Sequence, residues 1–227
     1  CRFRQKSDNK QHQFSFFYIN FMIELTDKDK YETIENSVRT EIKIKGSKFI
    51  STVIPVKSIE EADRKLHEIR HEFYDATHNC FSYKLGKKGE PFRYSDDGEP
   101  SGSAGKPIYF TITKYTLSDI LVVVTRYFGG TKLGVGGLVR AYSDSAEESL
   151  KIVKRKIIHI TSTFMIECDY TDISLIKKLI DKYAIKFTEE YTDRVKYNIQ
   201  IPISRTEEFP QIVYELSEGK IKTKLID

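Results

Sequence analysis

The chain contains 227 residues, with 37 lysines and arginines against 33 aspartates and glutamates and a formal net charge of +4. Hydrophobic residues make up 39% of the sequence and charged residues 31%, and tryptophan is absent. This composition excludes a collagen-like, a disulfide-dense and a largely disordered chain. The length suits one large domain or two small ones.

The excess positive charge lies mostly before the first methionine, Met22. Residues 1–21 carry a net charge of +3, so the rest of the chain is near neutral and its bulk charge says little about partners. The apolar stretch at 14–23 has about half the ~20 residues that a membrane span needs, and no small-residue cleavage site follows it. We interpret residues 1–21 as an upstream or non-native leader and expect no membrane association. The three cysteines have no short spacing between them, which is typical of a cytoplasmic protein.

Strand and helix patterns alternate over residues 35–153. β-branched residues alternate on both sides of the turn Lys45-Gly46-Ser47, Ser58 and Glu61 stand at capping-box spacing, and the β-branched run at 120–124 predicts a strand buried on both faces. The predicted elements are two strands within 35–56, a helix at 58–74, a strand at 79–86, a polar glycine-rich loop at 86–105, a helix near 104–115, a strand at 120–124 and a helix at about 137–153.

The last third of the chain repeats this alternation on a smaller scale, with two amphipathic helices between strands. The predicted elements are a strand at 157–168, a helix at 171–183, strands at 184–191 and 195–203, a helix at 205–217 and a strand at 220–226. This β-α-β-β-α-β order indicates a ferredoxin-like domain. The charged run Lys154-Arg155-Lys156 suits a junction, so we predict domains at 22–156 and 157–227.

Two patterns of potentially catalytic residues occur in the first of these domains. His67, Glu68 and His71 match the H-E-x-x-H zinc pattern, but helical spacing puts them opposite the apolar stripe of their helix, so we expect a solvated face. His78 and Cys80 share a face of a predicted strand, which permits a nucleophile and its base. A partly buried cysteine beside a hydrogen-bonded histidine is the commoner arrangement.

Asp96, Asp97 and Glu99 place three carboxylates within four residues, a set of oxygen ligands that suits Mg²⁺ or Ca²⁺. The alternative is a turn followed by a helix that Ser101 and Ser103 cap. The stretch lacks the twelfth-position ligand of an EF-hand and the spacing of a phosphate-binding loop. The pattern favours the structural alternative, and we predict no metal and no cofactor.

A buried strand, a loop with five glycines and a helix follow one another between Thr125 and Tyr142. Helix N-termini suit anions, and Arg126, Lys132 and Arg140 add positive charge near this one. The glycines do not match the dinucleotide-binding fingerprint. They serve either close strand–helix packing or an anion or nucleic-acid surface, and the residues alone leave both open.

Three segments together make the chain resemble the YigZ/IMPACT family: residues 76–80, 96–107 and 123–142. The resemblance runs from about Met22 to the C-terminus, although Phe81 and Ser103 stand where the family commonly has Trp and Thr. It is with the bacterial, two-domain branch, because nothing in residues 1–34 suggests the RWD domain of eukaryotic members.

The resemblance implies an α+β fold. An N-terminal α/β domain of the ribosomal protein S5 domain 2-like type is followed by a ferredoxin-like βαββαβ domain similar to one in elongation factor G. The resemblance implies no reaction, because the family has none securely assigned. Its eukaryotic members regulate translation.

We therefore expect a binding protein rather than an enzyme, with RNA or a translation or ribosome-associated component as its partner. Cationic side chains would meet phosphates, glycines would admit the nucleic-acid backbone and aromatic rings would stack on bases. The alternatives are a metal-assisted phosphoryl-transfer or hydrolytic enzyme that uses the acidic loop, and a protein-interaction module. The candidate binding residues are Asp96, Asp97, Glu99, Ser101, Lys106, Arg126, Tyr127, Phe128, Gly129, Gly130, Lys132, Gly134, Gly136, Gly137 and Arg140.

Overall fold

Strands and helices alternate through residues 17–18 and 25–226, the part of the chain that this computed structural model describes. The strands are β1 (Phe17–Tyr18), β2 (Lys30–Ile34), β3 (Val38–Ile44), β4 (Ser47–Pro55), β5 (His78–Lys84), β6 (Phe92–Ser95), β7 (Ile120–Tyr127), β8 (Arg155–His159), β9 (Thr161–Cys168), β10 (Lys186–Tyr191), β11 (Val195–Pro202) and β12 (Thr223–Leu225). The α-helices are α1 (Ile59–Glu72), α2 (Gly105–Lys114), α3 (Gly134–Lys151), α4 (Ile173–Tyr183) and α5 (Phe209–Leu216). One compact unit comprises residues 31–158, and the other described residues form the second.

The first unit is built on an antiparallel sheet of five strands in the order β3-β4-β7-β5-β6. Its central strand, β7, alternates between two cores. Val122 and Val124 pack with residues of α2 and α3, whereas Leu121 and Val123 pack with residues of α1. A strand with helices on both faces must be apolar on both, which explains the unbroken run at 120–124 and confirms that prediction.

The second unit contains an antiparallel sheet in which β12, β9, β11 and β10 lie side by side in that order. Numbered from β9, these strands have the 4-1-3-2 order of a ferredoxin-like domain. The helices α4 and α5 supply Ile176, Ile180, Phe209 and Val213 to its core. The predicted fold class is confirmed: the protein is α+β, with an S5 domain 2-like unit and a ferredoxin-like unit.

The single strand predicted at 157–168 is wrong, because the structure has two strands that separate at Ile160. β8 pairs with β2 in a two-stranded sheet, whereas β9 joins the ferredoxin-like sheet. At the break, the Ile160 N–H donates to the carbonyl oxygen of Asp29 and the Ile160 carbonyl accepts from Ile203. The apolar pattern continues through this change of partner, so the sequence does not reveal the break.

Two short strands and one helix start also differ from the sequence predictions. The sequence pattern predicts no strand at β2, and β6 interrupts the predicted loop at 86–105 as an edge strand paired with β5. β6 has only four residues, three of them exposed, so its short Phe-Arg-Tyr-Ser alternation does not stand out from the polar loop around it. The helix α3 begins at Gly134, three residues before the predicted start at 137. The sequence did not indicate this earlier start because the first turn contains glycines, which have low helix propensity.

Most of the predicted leader, residues 1–21, lies outside the described residues. The exception is β1, which pairs antiparallel with β10. The boundary between the compact units falls after residue 158, close to the predicted junction at 156. None of the helices in the described part of the chain is both long enough and apolar enough to cross a membrane.

A buried carboxylate, Asp29, joins two segments of the second unit. It accepts hydrogen bonds from the N–H and hydroxyl of Thr26 at 2.8 and 2.7 Å, and from the N–H and hydroxyl of Ser204 at 2.8 and 2.9 Å. Burial by itself would raise the pKa of Asp29, but these hydrogen bonds stabilise the charged form and lower it from 3.8 to about 2. The ionised carboxylate therefore contributes to stability.

We expect Asp29→Asn to lower the free energy of unfolding at pH 7 by about 1–2 kcal/mol, because an amide nitrogen cannot accept the hydrogen bonds of a carboxylate oxygen. The folded pKa of Asp29 lies below its unfolded value, so this stabilisation is present above about pH 5 and is lost as the pH falls towards 2. Urea unfolding should show a gap between the two proteins that narrows from pH 7 to pH 3. A gap that stays constant would contradict the prediction.

Candidate functional site

A buried ion pair between Glu99 and Arg126 forms the base of the site. Arg126 Nη1 donates to Glu99 Oε1 at 2.6 Å, and the Tyr142 hydroxyl donates to the same oxygen at 2.8 Å. Glu99 is 9% exposed and Arg126 is 5% exposed. An unpaired ion at such depth would cost several kcal/mol, so each charge depends on the other. Burial, together with Cys80 and Glu99 nearby, raises the pKa of Tyr142, which keeps its hydroxyl protonated as a donor.

Two residues that sequence analysis did not place in the site support this pair. The Ser47 hydroxyl lies at the start of β4, 3.4 Å from Arg126 Nη2, and it accepts from the Gly129 N–H at 3.1 Å. His78 has its Nδ1 2.7 Å from the Asp97 carbonyl oxygen and its Nε2 3.9 Å from Glu99 Oε1. A carbonyl only accepts, so Nδ1 carries a proton. The only sequence signal for Ser47 is its place as the last residue of the predicted turn at 45–47.

The carboxylate of Asp96 holds the N-terminus of α2. Its Oδ1 accepts from the N–H groups of Ala104 and Gly105 at 3.0 and 2.8 Å, and its Oδ2 accepts from Gly102 at 2.8 Å. These are backbone donors that a helix start leaves without partners, and a negative charge there also suits the helix dipole. Asp96 therefore has a structural role.

The expectation that Ser101 and Ser103 cap α2 is wrong. No side-chain hydrogen bond comes from the residue that precedes α2, and the Ser103 hydroxyl donates to the Pro100 carbonyl at 2.6 Å. Ser101 is exposed. The distant Asp96 reaches the helix start because the loop folds back on itself, so the serines are not needed as caps.

Asp97 also bonds within the protein. Its Oδ2 accepts from the Asn79 N–H at 2.7 Å, and its Oδ1 accepts from Arg70 at 2.6 Å. Across residues 25–226, no group of three or more His, Cys, Asp or Glu side chains is arranged to hold a metal ion. The acidic loop is therefore organised by hydrogen bonds to its own domain.

The start of α3 is open to an anion. The helix has no side-chain cap and no acidic residue in its first turn. A Cβ at Gly130, Gly134 or Gly136 would meet no atom within 4 Å, so packing does not require a glycine at these positions. Gly130 and Gly134 have positive φ angles of 85° and 70°, which glycine adopts without strain. The free N–H groups and the helix dipole together favour a negative group here.

Two other glycines of the loop have packing roles. A Cβ at Gly129 would stand 1.9 Å from the carbonyl carbon of Gly46, so only glycine allows the loop to touch the β3–β4 turn. A Cβ at Gly137 would stand 3.1 Å from Leu133 Cβ. Close packing therefore accounts for Gly129 and Gly137 and does not account for Gly130, Gly134 or Gly136.

A cavity of about 260 Å³ lies between the ion pair and the start of α3. It brings together five predicted site residues: Glu99, Arg126, Phe128, Lys132 and Gly134. Phe128 is 48% exposed, and Lys132 is exposed as well. The other residues of the lining are Pro100, Leu133, Val135 and Leu138, so much of the wall is apolar.

The other basic and aromatic residues of the predicted site, three in number, do not line the cavity. Lys106 lines a separate groove of about 380 Å³ between α2 and α3, where its Nζ is 5.7 Å from the centre of the Phe110 ring. Arg140 is exposed on α3 and lines neither this groove nor the cavity. The Tyr127 hydroxyl donates to Asp75 at 2.7 Å, and this bond raises the pKa of Tyr127 to about 12.

The two catalytic patterns have structural explanations. On α1, His67 and His71 are exposed, and Glu68 pairs with neighbouring basic residues of the same helix. Cys80 is fully buried and its Sγ donates to the Asp96 carbonyl at 3.0 Å. Burial raises the pKa of the Cys80 thiol, which disfavours the thiolate that nucleophilic catalysis requires.

We expect Glu99 and Arg126 to be energetically coupled. Glu99→Met and Arg126→Met should each lower the free energy of unfolding by about 3–5 kcal/mol, because each leaves the other ion buried without its partner. The double variant should lose less than the sum of the two, since it buries no unpaired charge. Urea unfolding of the four proteins measures this coupling. Additive losses would show that the pair does not act as a unit.

Comparison with known proteins agrees with this architecture. Residues 45–150 match the Impact N-terminal domain, and residues 166–220 match a domain of unknown function, DUF1949. The chain is 36% identical to the IMPACT family member YvyE of Bacillus subtilis (strain 168) over 198 residues, which cover 86% of this chain and 90% of that protein. It is 29% identical to the IMPACT family member YigZ of Escherichia coli (strain K12) over 187 residues, which cover 81% and 92% of the two chains.

A solved crystal structure of a hypothetical protein has the same overall fold. Its TM-score is 0.62 at 27% sequence identity, and the match covers 88% of this chain and 98% of that one. Both family domains are thus present in this chain, and its similarity to YvyE extends over nearly the whole of that relative. The chain belongs to the IMPACT family.

Proposed function

We propose that this protein binds single-stranded RNA, with a phosphate at the start of α3 and a base against Phe128. The observation that carries the proposal is the cavity, in which an uncapped helix N-terminus, two basic side chains and an exposed aromatic ring line one space. The helix N-terminus and the basic side chains suit a phosphate, and the aromatic ring suits a base.

The phosphate would be attracted mainly by Lys132 and the helix. The charge of Arg126 is balanced by Glu99 at 2.6 Å, so this pair adds little net charge to the cavity. Lys132 is exposed at the cavity, and no described residue forms an ion pair with it. Gly130 and Gly136 leave open space where a sugar-phosphate backbone approaches the helix.

The base would stack on Phe128. The guanidinium carbon of Arg126 lies 5.6 Å from the centre of this ring, a cation–π contact that supports one side of it. The ring is nevertheless 48% exposed, so part of its surface is accessible to a base. Stacking of a base on an aromatic side chain contributes about 1–3 kcal/mol and accepts any base.

The family resemblance is the basis for the cellular compartment and the partner that we propose. We place the protein in the cytoplasm, with an RNA or ribosome-associated component of translation as its partner. Cys80 and Cys168 are free and buried, which is compatible with a reducing compartment. A metal-assisted enzyme is less well supported, because Asp96 and Asp97 would have to give up their hydrogen bonds to the protein in order to bind a metal.

We expect Lys132→Ala to weaken binding of a fluorescein-labelled octauridine and to make the slope of log affinity against log salt shallower by about 0.7, the value for one phosphate contact on a single strand. Phe128→Ala should weaken binding by about tenfold with little change in slope, because it removes stacking rather than charge. Fluorescence anisotropy at several salt concentrations gives both quantities.

Lys57→Ala is the matched control for this experiment. Lys57 is exposed beyond the far end of β4, whereas the cavity lies beside the beginning of that strand, ~25 Å away at the usual rise per residue. This variant should bind like the original protein. Failure of the original protein to bind the oligonucleotide, or equal losses in the Lys57 and Lys132 variants, would refute the proposal.

The edge strand β6 supports a second candidate function, the docking of a protein segment. Phe92 and Tyr94 are 43% and 42% exposed, and Phe92 stacks on Tyr109 with the ring centres 4.7 Å apart. β6 is the last strand of its sheet, so its outer backbone groups are free to pair with an added strand. Aromatic side chains on an open edge are typical of such docking sites.

Affinity capture from nuclease-treated lysate separates the two functions. A partner that docks on β6 should survive nuclease treatment and be lost from a Phe92→Ser/Tyr94→Ser variant, while Lys132→Ala retains it. If nuclease removes every captured protein, the second candidate is wrong and capture depends on nucleic acid.

A further inference from the structure

The carboxylate of Glu99 has one oxygen without a protein partner. Its Oε1 accepts from Arg126 and Tyr142, whereas none of the described residues donates to Oε2. Oε2 is accessible to solvent, although the residue as a whole is 91% buried. In contrast, the Nε of Arg126 is buried and has no hydrogen-bond partner. Because Glu99 lines the cavity, this acceptor is available to a ligand.

The rest of the cavity suits a flat ring. Its walls include Phe128, Leu133, Val135 and Leu138, which offer apolar contacts, and its volume of about 260 Å³ is small. Pockets of this kind orient a ligand by a few convergent polar groups set among apolar ones. An unstacked nucleobase fits this pattern, with its faces against apolar side chains and its edge directed to Glu99.

The chemistry of a carboxylate selects among the bases. An ionised carboxylate accepts hydrogen bonds and cannot donate them. Guanine presents two adjacent donors, N1–H and the N2 amino group, on its Watson–Crick edge. Adenine and cytosine place a ring-nitrogen acceptor beside their amino group, and uracil has one N–H between two carbonyls. Each of these would set a lone pair against the negative charge, whereas guanine would not.

We propose that the cavity takes a guanine base from single-stranded RNA, with Glu99 Oε2 accepting from the N–H donors of its Watson–Crick edge. This inference rests on the proposed function and adds sequence preference to it. Arg126 and Tyr142 hold the carboxylate in place through Oε1, so they are positioning residues for the base contact.

The test compares labelled octauridines that carry guanine, adenine, inosine or uracil at one central position, by fluorescence anisotropy at fixed salt. Guanine should bind about tenfold more tightly than adenine or uracil, the discrimination typical of paired hydrogen bonds to a base edge. Inosine keeps N1–H and lacks the N2 amino group, so its affinity should fall between those of guanine and adenine.

Glu99→Gln tests the residue itself, because the amide keeps the shape of the side chain and loses its charge. If circular dichroism shows that this variant folds, guanine and adenine should bind within about twofold of each other. If it does not fold, the comparison of guanine with inosine in the original protein decides. Equal binding of guanine and inosine overturns the inference, and so does a guanine preference that survives in the folded variant.

The outcomes also separate this inference from the function on which it rests. Equal, salt-sensitive binding of all four oligonucleotides leaves the proposed function standing and overturns the guanine preference. Absence of binding to any of them overturns both.

Discussion

The neutralisation of Arg126 by Glu99 constrains the geometry of the whole first domain. Arg126 lies on the central strand β7, Glu99 follows the edge strand β6, and Tyr142 joins them from α3. Because two buried ions are tolerated only as a pair, the loop between β6 and α2 must return to the middle of the sheet. The same loop also brings Asp96 to the start of α2, where its carboxylate accepts from the N–H groups of Ala104 and Gly105.

The acidic and the glycine-rich loops differ in how much of their polar capacity the protein itself uses. The carboxylate oxygens of Asp96 and Asp97 accept hydrogen bonds from backbone N–H groups and an arginine of the same domain. The start of α3, in contrast, has no side chain that satisfies its free N–H groups. A polar group that the fold has already satisfied must give up its protein partner in order to bind a ligand, whereas an exposed N–H group has only to exchange water for it. This contrast is why the glycine-rich loop supports a binding function better than the acidic one.

The family resemblance supplied the α+β class with its S5 domain 2-like unit. Periodicity and residue type sufficed to predict the β-α-β-β-α-β order of the ferredoxin-like unit and the exposure of His67 and His71, because these follow from local patterns. They also brought Glu99, Arg126 and Lys132 into one candidate site. The sequence patterns did not show that Lys106 and Arg140 lie away from the cavity, and they did not place Ser47 and His78 beside the ion pair. Such positions depend on which strands pair and in what register. The break at Ile160 was hidden for the same reason, since the apolar pattern does not record a change of partner.

The contact between Gly46 and Gly129 has a consequence for the thermodynamics of any ligand in the cavity. Because neither glycine has a side chain, the β3–β4 turn and the glycine-rich loop are in direct backbone contact. The Ser47 hydroxyl also accepts a hydrogen bond from the Gly129 N–H. Phe128 immediately precedes this anchor, so one flank of the cavity is fixed before a ligand arrives. Ordering a mobile loop costs entropy that reduces affinity, and a flank already held by the fold avoids most of that loss. A ligand in this cavity would therefore lose less affinity to the ordering of this loop.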